Sequence, residues 1–425
     1  MAMVRRIDPQ GCGCGAPEDG RKLVGIDGAL ERMAQSVHPV PRTETVGLSQ
    51  ARGRVLAEPV RATAMTPPFD NAAMDGYALD STALLGEGPW FLTVEGRVAA
   101  GRGAGAEITR AGAARIFTGA PVPSGADAVV MQEAALRRGD TICLTERPVP
   151  GQHVRRAGED MKPGNVILGA GTRLDAAGIA ACAAAGHGRV RVRQRLRVGL
   201  LVTGDEVQGA GSGLGAGHIW DVNTPMLTAA LSCPSIELVT VRHGADSREG
   251  LLHHLADMSQ RLDLIVTTGG VSVGEEDHMR PALAALDAEM LFAGVAMKPG
   301  KPVSLGRVGA AIWLGLPGNP LSAFVTWQLF GTAVLRALTG RAGDEPRRRH
   351  VVTAAEITRK PGRCELRPAR LDGFDGEGRE IAAFEPGTHS GRVARLPEAH
   401  GLIFVPAEAE HLPAGALVEF QPFCE

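Results

Sequence analysis

Three things are scarce in this chain: long apolar runs, an excess of charge of either sign, and any ordered cysteine pattern. No stretch reads as the ~20 apolar residues that cross a bilayer. Arg5 and Arg6 lead into Asp8, Pro9 and glycines, where a secretory leader would carry an apolar run. A cytoplasmic enzyme or binding protein without a membrane partner is expected. The formal net charge is −2, so no global basic field holds nucleic acid, and any anion must be bound by a local site. The seven cysteines, at positions 12, 14, 143, 182, 233, 364 and 424, follow no repeated spacing. An odd number in a large chain argues against a disulfide framework. Cys12 and Cys14 in Gly-Cys-Gly-Cys-Gly read either as incidental thiols of a flexible tail or as a metal or redox pair. Tyrosine occurs once.

What is present is 425 residues rich in glycine, with hydrophobic and charged fractions normal for a globular protein. That length exceeds one ordinary core and implies two to four domains. Residues 1–20 read as a disordered tail. Helical spacing runs through Leu23, Ile26, Leu30 and Met33 and returns near 175–185. Between them, 61–146 carry many glycines and prolines with short apolar runs such as Phe91–Val94 and Ala128–Met131, the pattern of a small β-rich module. Arg189, Arg191, Arg193, Arg195 and Arg197 recur at period two, which puts them on one strand face. Such a face is either solvated or a basic patch, and no interleaved aromatics favour nucleic acid.

From 196 onward apolar strands alternate with helices. Leu196–Val202, Ile236–Val241, Leu262–Val266 and Ala311–Leu316 read as strands; 223–231, 248–258, 275–287 and 321–338 read as helices. Strands apolar throughout belong to a parallel sheet covered on both faces, a doubly wound α/β domain with its ligand cleft beyond the carboxyl ends of the strands. The charge run at 341–349 marks a linker. The short alternating segments after it suggest a small β-barrel or sandwich.

Three of those strand ends are dense in polar residues and glycine: Thr203-Gly204-Asp205-Glu206, Thr268-Gly269-Gly270-Val271-Ser272 running on to Asp277, and Pro317-Gly318-Asn319-Pro320. Glycine lets backbone N–H groups approach a ligand, and the following helix N-terminus favours an anion. Carboxylates beside bound phosphates would repel them unless a divalent cation lay between, so Glu206 and Asp277 point to Mg²⁺. The alternative is that the acids near 277 only complement a helix dipole. In Met297-Lys298-Pro299-Gly300-Lys301-Pro302 two prolines fix the backbone around two ammonium groups, which suits a small dianion. A rigid surface turn is the bland alternative. Physical chemistry alone gives no role to the compact loops at 69–77, 117–121 and 155–160.

Taken together, these segments resemble the MoeA family of molybdopterin molybdenumtransferases, which includes the E domain of gephyrin. The carriers are Asp-Asn-Ala-Ala-Met-Asp-Gly-Tyr-Ala at 70–78, Thr-Gly-Ala-Pro-Val-Pro at 118–123, Gly-Glu-Asp at 158–160, Thr-Gly-Asp-Glu at 203–206, Gly-Gly-Val-Ser-Val-Gly at 269–274, Lys-Pro-Gly-Lys-Pro at 298–302 and Gly-Leu-Pro-Gly-Asn-Pro at 315–320. The resemblance covers residue 23 to the C-terminus. It implies a multidomain α/β plus β homodimer. Residues 21–60 and 147–194 would form a first domain, with 61–146 inserted as a β-rich second. A third, 195–345, would resemble molybdopterin adenylyltransferases and bind molybdopterin, and 346–425 would form a β-barrel. The implied reaction inserts molybdate into adenylylated molybdopterin, releasing AMP with Mg²⁺. An adenylyltransferase or its recipient molybdoenzymes are further expected partners.

By the same resemblance, Asp75, Thr118 and Asp160 face the α/β domain of the partner subunit. Glu206, Asp246, Asp277 and Lys298 match residues important in the family. Asp221 and Asn223 match its Asp-x-Asn segment. Gly269, Gly270, Ser272, Pro317, Gly318, Asn319 and Pro320 would line the pterin cleft, and Lys298, Lys301 and Ser390 the molybdate path. The chain departs where some relatives have lysine at Gly294, and where many have arginine near 368, here Arg367-Pro368. Two rivals remain: an adenylyltransferase-like enzyme or a nucleotide hydrolase related to competence-damage proteins, against which the Met-Asp-Gly-Tyr segment stands, and a molybdopterin-binding scaffold, against which Asp75, Asp160, Glu206 and Asp277 stand.

Overall fold

The computed structural model describes residues 23–103, 107–211, 213–244, 247–270, 278–343, 345–387 and 389–423. Cys12, Cys14, Asp246, Ser272 and Asp277 lie outside them.

The centre of the molecule is a six-stranded sheet in the order 236–244, 196–203, 264–268, 311–316, 304–308, 289–293. The first four strands are parallel. Alternate side chains on them feed opposite faces, as period two demands. Val198, Leu200, Leu264, Val266, Ile312 and Leu314 join one core; Leu201, Ile265 and Trp313 join another with Leu251, Leu255 and Met258 of helix Arg248–Arg261. The domain is therefore doubly wound, as its apolar strands imply. The expected all-parallel sheet is corrected at one edge, where Ser304–Val308 and Glu289–Ala293 run antiparallel. A tight turn, Val308 to Ala311, reverses the chain there and leaves no length for a crossover helix.

Helix Ile26–Ser36 buries Ile26, Ala29 and Met33 in the first of these cores. Pro320–Thr339 is 20 residues long, with a mean hydropathy of 1.3 over its most apolar 18 residues, so a helix of spanning length and composition does exist, against the expectation from sequence. It is 78% buried, which makes it the core helix of the sheet. Its middle, Trp327–Gly331, is a π turn. Only glycine fits at 331, because a Cβ there would run into the Trp327 ring.

Residues 43–62 and 161–192 share one core around Leu56, Leu174, Cys182 and Val192. Strand Arg189–Arg193 pairs antiparallel with Thr43–Gly47, with Val190 and Val192 inward and Arg189 and Arg191 outward, the period-two face read from sequence. Within this module's chain sits a six-stranded mixed sheet ordered 128–131, 76–79, 112–116, 90–98, 141–144, 135–138. At the C-terminal end, strands Cys364–Phe374, Glu380–Phe384, Arg349–Thr353, Leu417–Pro422 and Gly401–Val405 close on themselves into a five-stranded barrel. The short strand Met297–Lys298 adds to it beside Cys364 and Glu365.

Candidate functional site

The neighbouring parallel strands 196–203, 264–268 and 311–316 end at the same level, so their polar carboxyl ends meet. Side chains lock them together. The Thr268 hydroxyl donates to the Pro317 carbonyl at 3.1 Å. The Asn223 amide donates to Thr268 Oγ1 at 2.9 Å and to the Gly318 carbonyl at 2.7 Å. Thr203 Oγ1 donates to the Thr268 carbonyl at 3.4 Å. Gly269 and Gly270 adopt φ of +89° and +62°, and a Cβ on Gly269 would lie 2.6 Å from Thr203 Oγ1. Glycine is thus required where the loop turns over the strand end.

Asp221 and Asn223 are both buried beside this seam. Asp221 accepts from the Thr224 N–H at 2.9 Å and lies 3.7 Å from His243 Nε2. Three oxygens in this short stretch, Gln208 Oε1, Asn223 Oδ1 and Thr224 Oγ1, are buried without a hydrogen-bond partner. Native proteins rarely leave such groups unmatched, and the two amide oxygens could be satisfied only by a hydrogen-bond donor. The Glu206 carboxylate folds back over Gly204, whose φ is +127° and whose Cβ would sit 2.8 Å from Glu206 Oε2. Glu206 is exposed at the strand end. Among the described residues no group of three His, Cys, Asp or Glu is placed to hold a metal ion.

Lys298 lies where the α/β domain meets the barrel. Its ammonium is 3.6 Å from Glu365 Oε2. Glu365 is buried and also faces Arg367 Nε at 2.9 Å and Arg359 Nε at 3.7 Å. Three cations around one carboxylate leave a local excess of positive charge, which is the condition for holding an oxyanion. Sequence reasoning does not single out Glu365, Arg359 and Arg367. The one signal is Arg367 itself, a residue away from the position where relatives carry arginine. Gly300 packs against the core helix, since a Cβ there would meet Thr326 Cγ2 at 2.5 Å. This fixes the Lys298–Lys301 turn on the sheet. Gly294 has φ +92° and faces Leu23, so a longer side chain there would be strained. The Ser390 carbonyl accepts from the Leu321 N–H at 2.9 Å. It ties the segment around Ser390 to the start of the core helix, beside a cavity of about 580 Å³ lined by Leu321, Arg367, His389 and Arg392.

Asp75 and Thr118 come together in the N-terminal half. Asp75 Oδ1 accepts from both the Thr118 N–H, at 2.8 Å, and the Thr118 hydroxyl, at 2.7 Å. The backbone bond, then the hydroxyl bond, hold this carboxyl below its ordinary pKa. Asp160 is exposed, and its N–H donates to the Thr66 carbonyl. Asp70 braces the same loops through the Ala157 N–H and Arg156. These described bonds all run within the N-terminal half, apart from the strand-end seam. Asp246, Ser272 and Asp277 belong to segments outside the described residues.

The fold and site define an α/β domain with a polar strand-end cleft, held between a β-rich N-terminal region and a barrel. Family models match in the same order: the "MoeA N-terminal region (domain I and II)" over 24–186, "Probable molybdopterin binding domain" over 199–337, and the "MoeA C-terminal region (domain IV)" over 350–423. The chain is 32% identical to the molybdopterin molybdenumtransferase of Haemophilus influenzae, over 94% of this chain and 99% of that one. It is 34% identical to molybdopterin molybdenumtransferase 2 of Mycobacterium tuberculosis, over 92% and 97%. A crystal structure of the molybdopterin biosynthesis moeA protein from Pyrococcus horikoshii OT3 superposes with a TM-score of 0.82 at 29% identity, covering 95% of this chain and all of that one. The chain belongs to the MoeA family of molybdopterin molybdenumtransferases.

Proposed function

We propose that this chain is a transferase of molybdenum cofactor biosynthesis that takes adenylylated molybdopterin and molybdate and returns molybdenum cofactor and AMP. The observation that carries the reading is the seam of Asn223, Thr268 and Gly318 under two positive-φ glycines. It puts backbone amides at the mouth of a parallel sheet, where phosphate-bearing ligands bind. The excess cations around Glu365 supply a place for the oxyanion substrate.

Mg²⁺ is part of this proposal. Glu206 would offer it an exposed carboxylate at the strand end, with Asp277 expected to join it. The ion would neutralise phosphate charge and stabilise the charge that leaves with AMP. Lys298 and Lys301 would hold the dianion as point charges. A homodimer with a composite site is proposed as well, because Asp75 and Thr118 bond within a module separate from the strand ends they would serve. We place the enzyme in the cytoplasm.

Incubation of the purified protein with Mg²⁺ tests the reaction in two arms. With adenylylated molybdopterin and molybdate, AMP and molybdenum-bearing pterin should appear in equal amounts. With ATP and molybdopterin, ATP should survive. Consumption of ATP in the second arm with no AMP in the first would make the chain an adenylyltransferase instead.

A further inference from the structure

At the amino ends of the central strands, opposite the cleft, lies a second cavity of about 620 Å³. Its charged lining is Arg42, Arg54, Arg195, Arg197, Glu44 and Glu237. Strand Leu196–Thr203 spans eight residues, so this cavity stands roughly 23 Å from the cleft at ~3.3 Å per residue. Four guanidinium groups face two carboxylates here. Asp263 behind them takes a bidentate bond from Arg42 and further bonds from the Arg197 N–H and guanidinium. One positive charge remains in excess after all three acids are counted.

Two guanidinium donors are buried without an acceptor: Arg54 Nε and Arg197 Nε. Arg54 as a residue is only 3% exposed. Its Nη2 is satisfied by Glu44 and by the Arg193 carbonyl, yet the Nε has nothing to bond. A buried unmatched donor on a cation costs more than one on a neutral group. Arg195 is exposed and has no ion pair among the described residues. The cavity therefore combines excess positive charge, an exposed guanidinium without an ion pair among the described residues, and room for a small molecule.

We propose that this cavity is a second anion site, taking a small phosphate-bearing ligand, distinct from the strand-end cleft and from the Glu365 cluster. Arg197 would grip it from the sheet and Arg195 from just before the strand, Arg54 from the neighbouring module, with Gln50 and Gln194 in the lining as neutral donors. A ligand there would bridge the N-terminal module and the α/β domain, since Arg54 and Arg197 belong to different ones.

The test is calorimetric titration of the full-length protein with inorganic pyrophosphate at low ionic strength, on wild type and three variants. Wild type should show a class of site at this cavity besides binding at the strand-end cleft and the Glu365 cluster. Arg195→Glu should weaken that class by about tenfold or more in Kd and leave the other binding. Glu237→Gln should tighten that same class, because it removes an acid of the lining that lacks a described partner. Lys298→Ala should leave the Arg195-sensitive class unchanged. Arg195 and Glu237 are both exposed, so these changes leave the fold intact. A single class of site that ignores Arg195→Glu and Glu237→Gln would overturn the proposal, and so would the absence of any binding.

Discussion

Asn223 Nδ2 stands 2.9 Å from Thr268 Oγ1, and that one contact joins the helix after the first central strand to the end of the third. The same amide reaches the Gly318 carbonyl. Asn223→Ala removes both donations and leaves buried acceptors unmatched. It should destabilise the protein by about 1–3 kcal/mol and weaken pterin binding further than stability alone explains. Chemical denaturation and fluorescence titration with the pterin, run on the same variant, check this. A destabilised variant with unchanged pterin affinity would reduce Asn223 to a brace.

Thr118 sets the acidity of Asp75. Its two bonds favour the ionised carboxylate and lower the pKa. Thr118→Ala removes the hydroxyl bond, so the pKa should rise toward the ordinary carboxylate value. If ionised Asp75 is needed for turnover, the acid limb of the pH–rate profile moves to higher pH in Thr118→Ala. An unmoved limb means that Asp75 does not titrate in the reaction.

Asp263 links the N-terminal module to the sheet through Arg42 and Arg197. Burial works to raise its pKa, but the bonds from Arg42, and then from Arg197, outweigh it and leave the pKa lowered. A carboxyl depressed in the folded state contributes stability above its unfolded pKa, and that contribution is lost as pH falls through the folded value. Asp263→Asn should therefore cost about 2 kcal/mol at pH 7, a figure kept modest because both arginines are partly exposed. The difference from wild type should shrink steadily below about pH 4. Urea midpoints across that range measure it, and a constant difference would contradict it.

Much of this was legible in the chain. Leu196–Thr203, Leu264–Thr268 and Ala311–Leu316 announce themselves because strands buried on both faces are apolar throughout. The glycines at 204, 269 and 270 were equally clear, since each marks a backbone that turns at a ligand cleft. Edge strand Glu289–Ala293 was not, because only Phe292 on it is fully buried and its pattern matches neither period. The Glu365, Arg359 and Arg367 cluster was hidden for another reason. Burial of an ion pair depends on which strands the barrel brings together, and charged residues on alternating strands usually read as a solvated face.

The proposed composite site makes a stoichiometric prediction. Asp75→Asn and Glu206→Gln subunits should each be inactive alone. Mixed after reversible dissociation, they should recover up to about half of wild-type activity per heterodimer, because one of its two sites combines intact halves. Recovery absent despite heterodimer formation would place both residues in one subunit's site.

Lys298 and Lys301 should act on molybdate and not on protons. Replacing either with alanine should raise the molybdate concentration at half-maximal rate by about tenfold or more and leave the pH profile in place. Lys298→Arg should rescue only in part, since a planar fork does not reproduce a compact ammonium beside Glu365. Unchanged molybdate dependence in both alanine variants would remove the lysines from the oxyanion site.

Whether the strand-end seam holds molybdopterin is settled most directly by what stays bound there. Wild type and Asn223→Ala would each be loaded with adenylylated molybdopterin, passed through gel filtration, and the retained pterin identified by mass spectrometry. Wild type should retain the adenylylated pterin near one per chain, and the variant, shown folded by circular dichroism, should lose most of it. Equal retention by both proteins, or none by wild type, would contradict the assignment of the cleft.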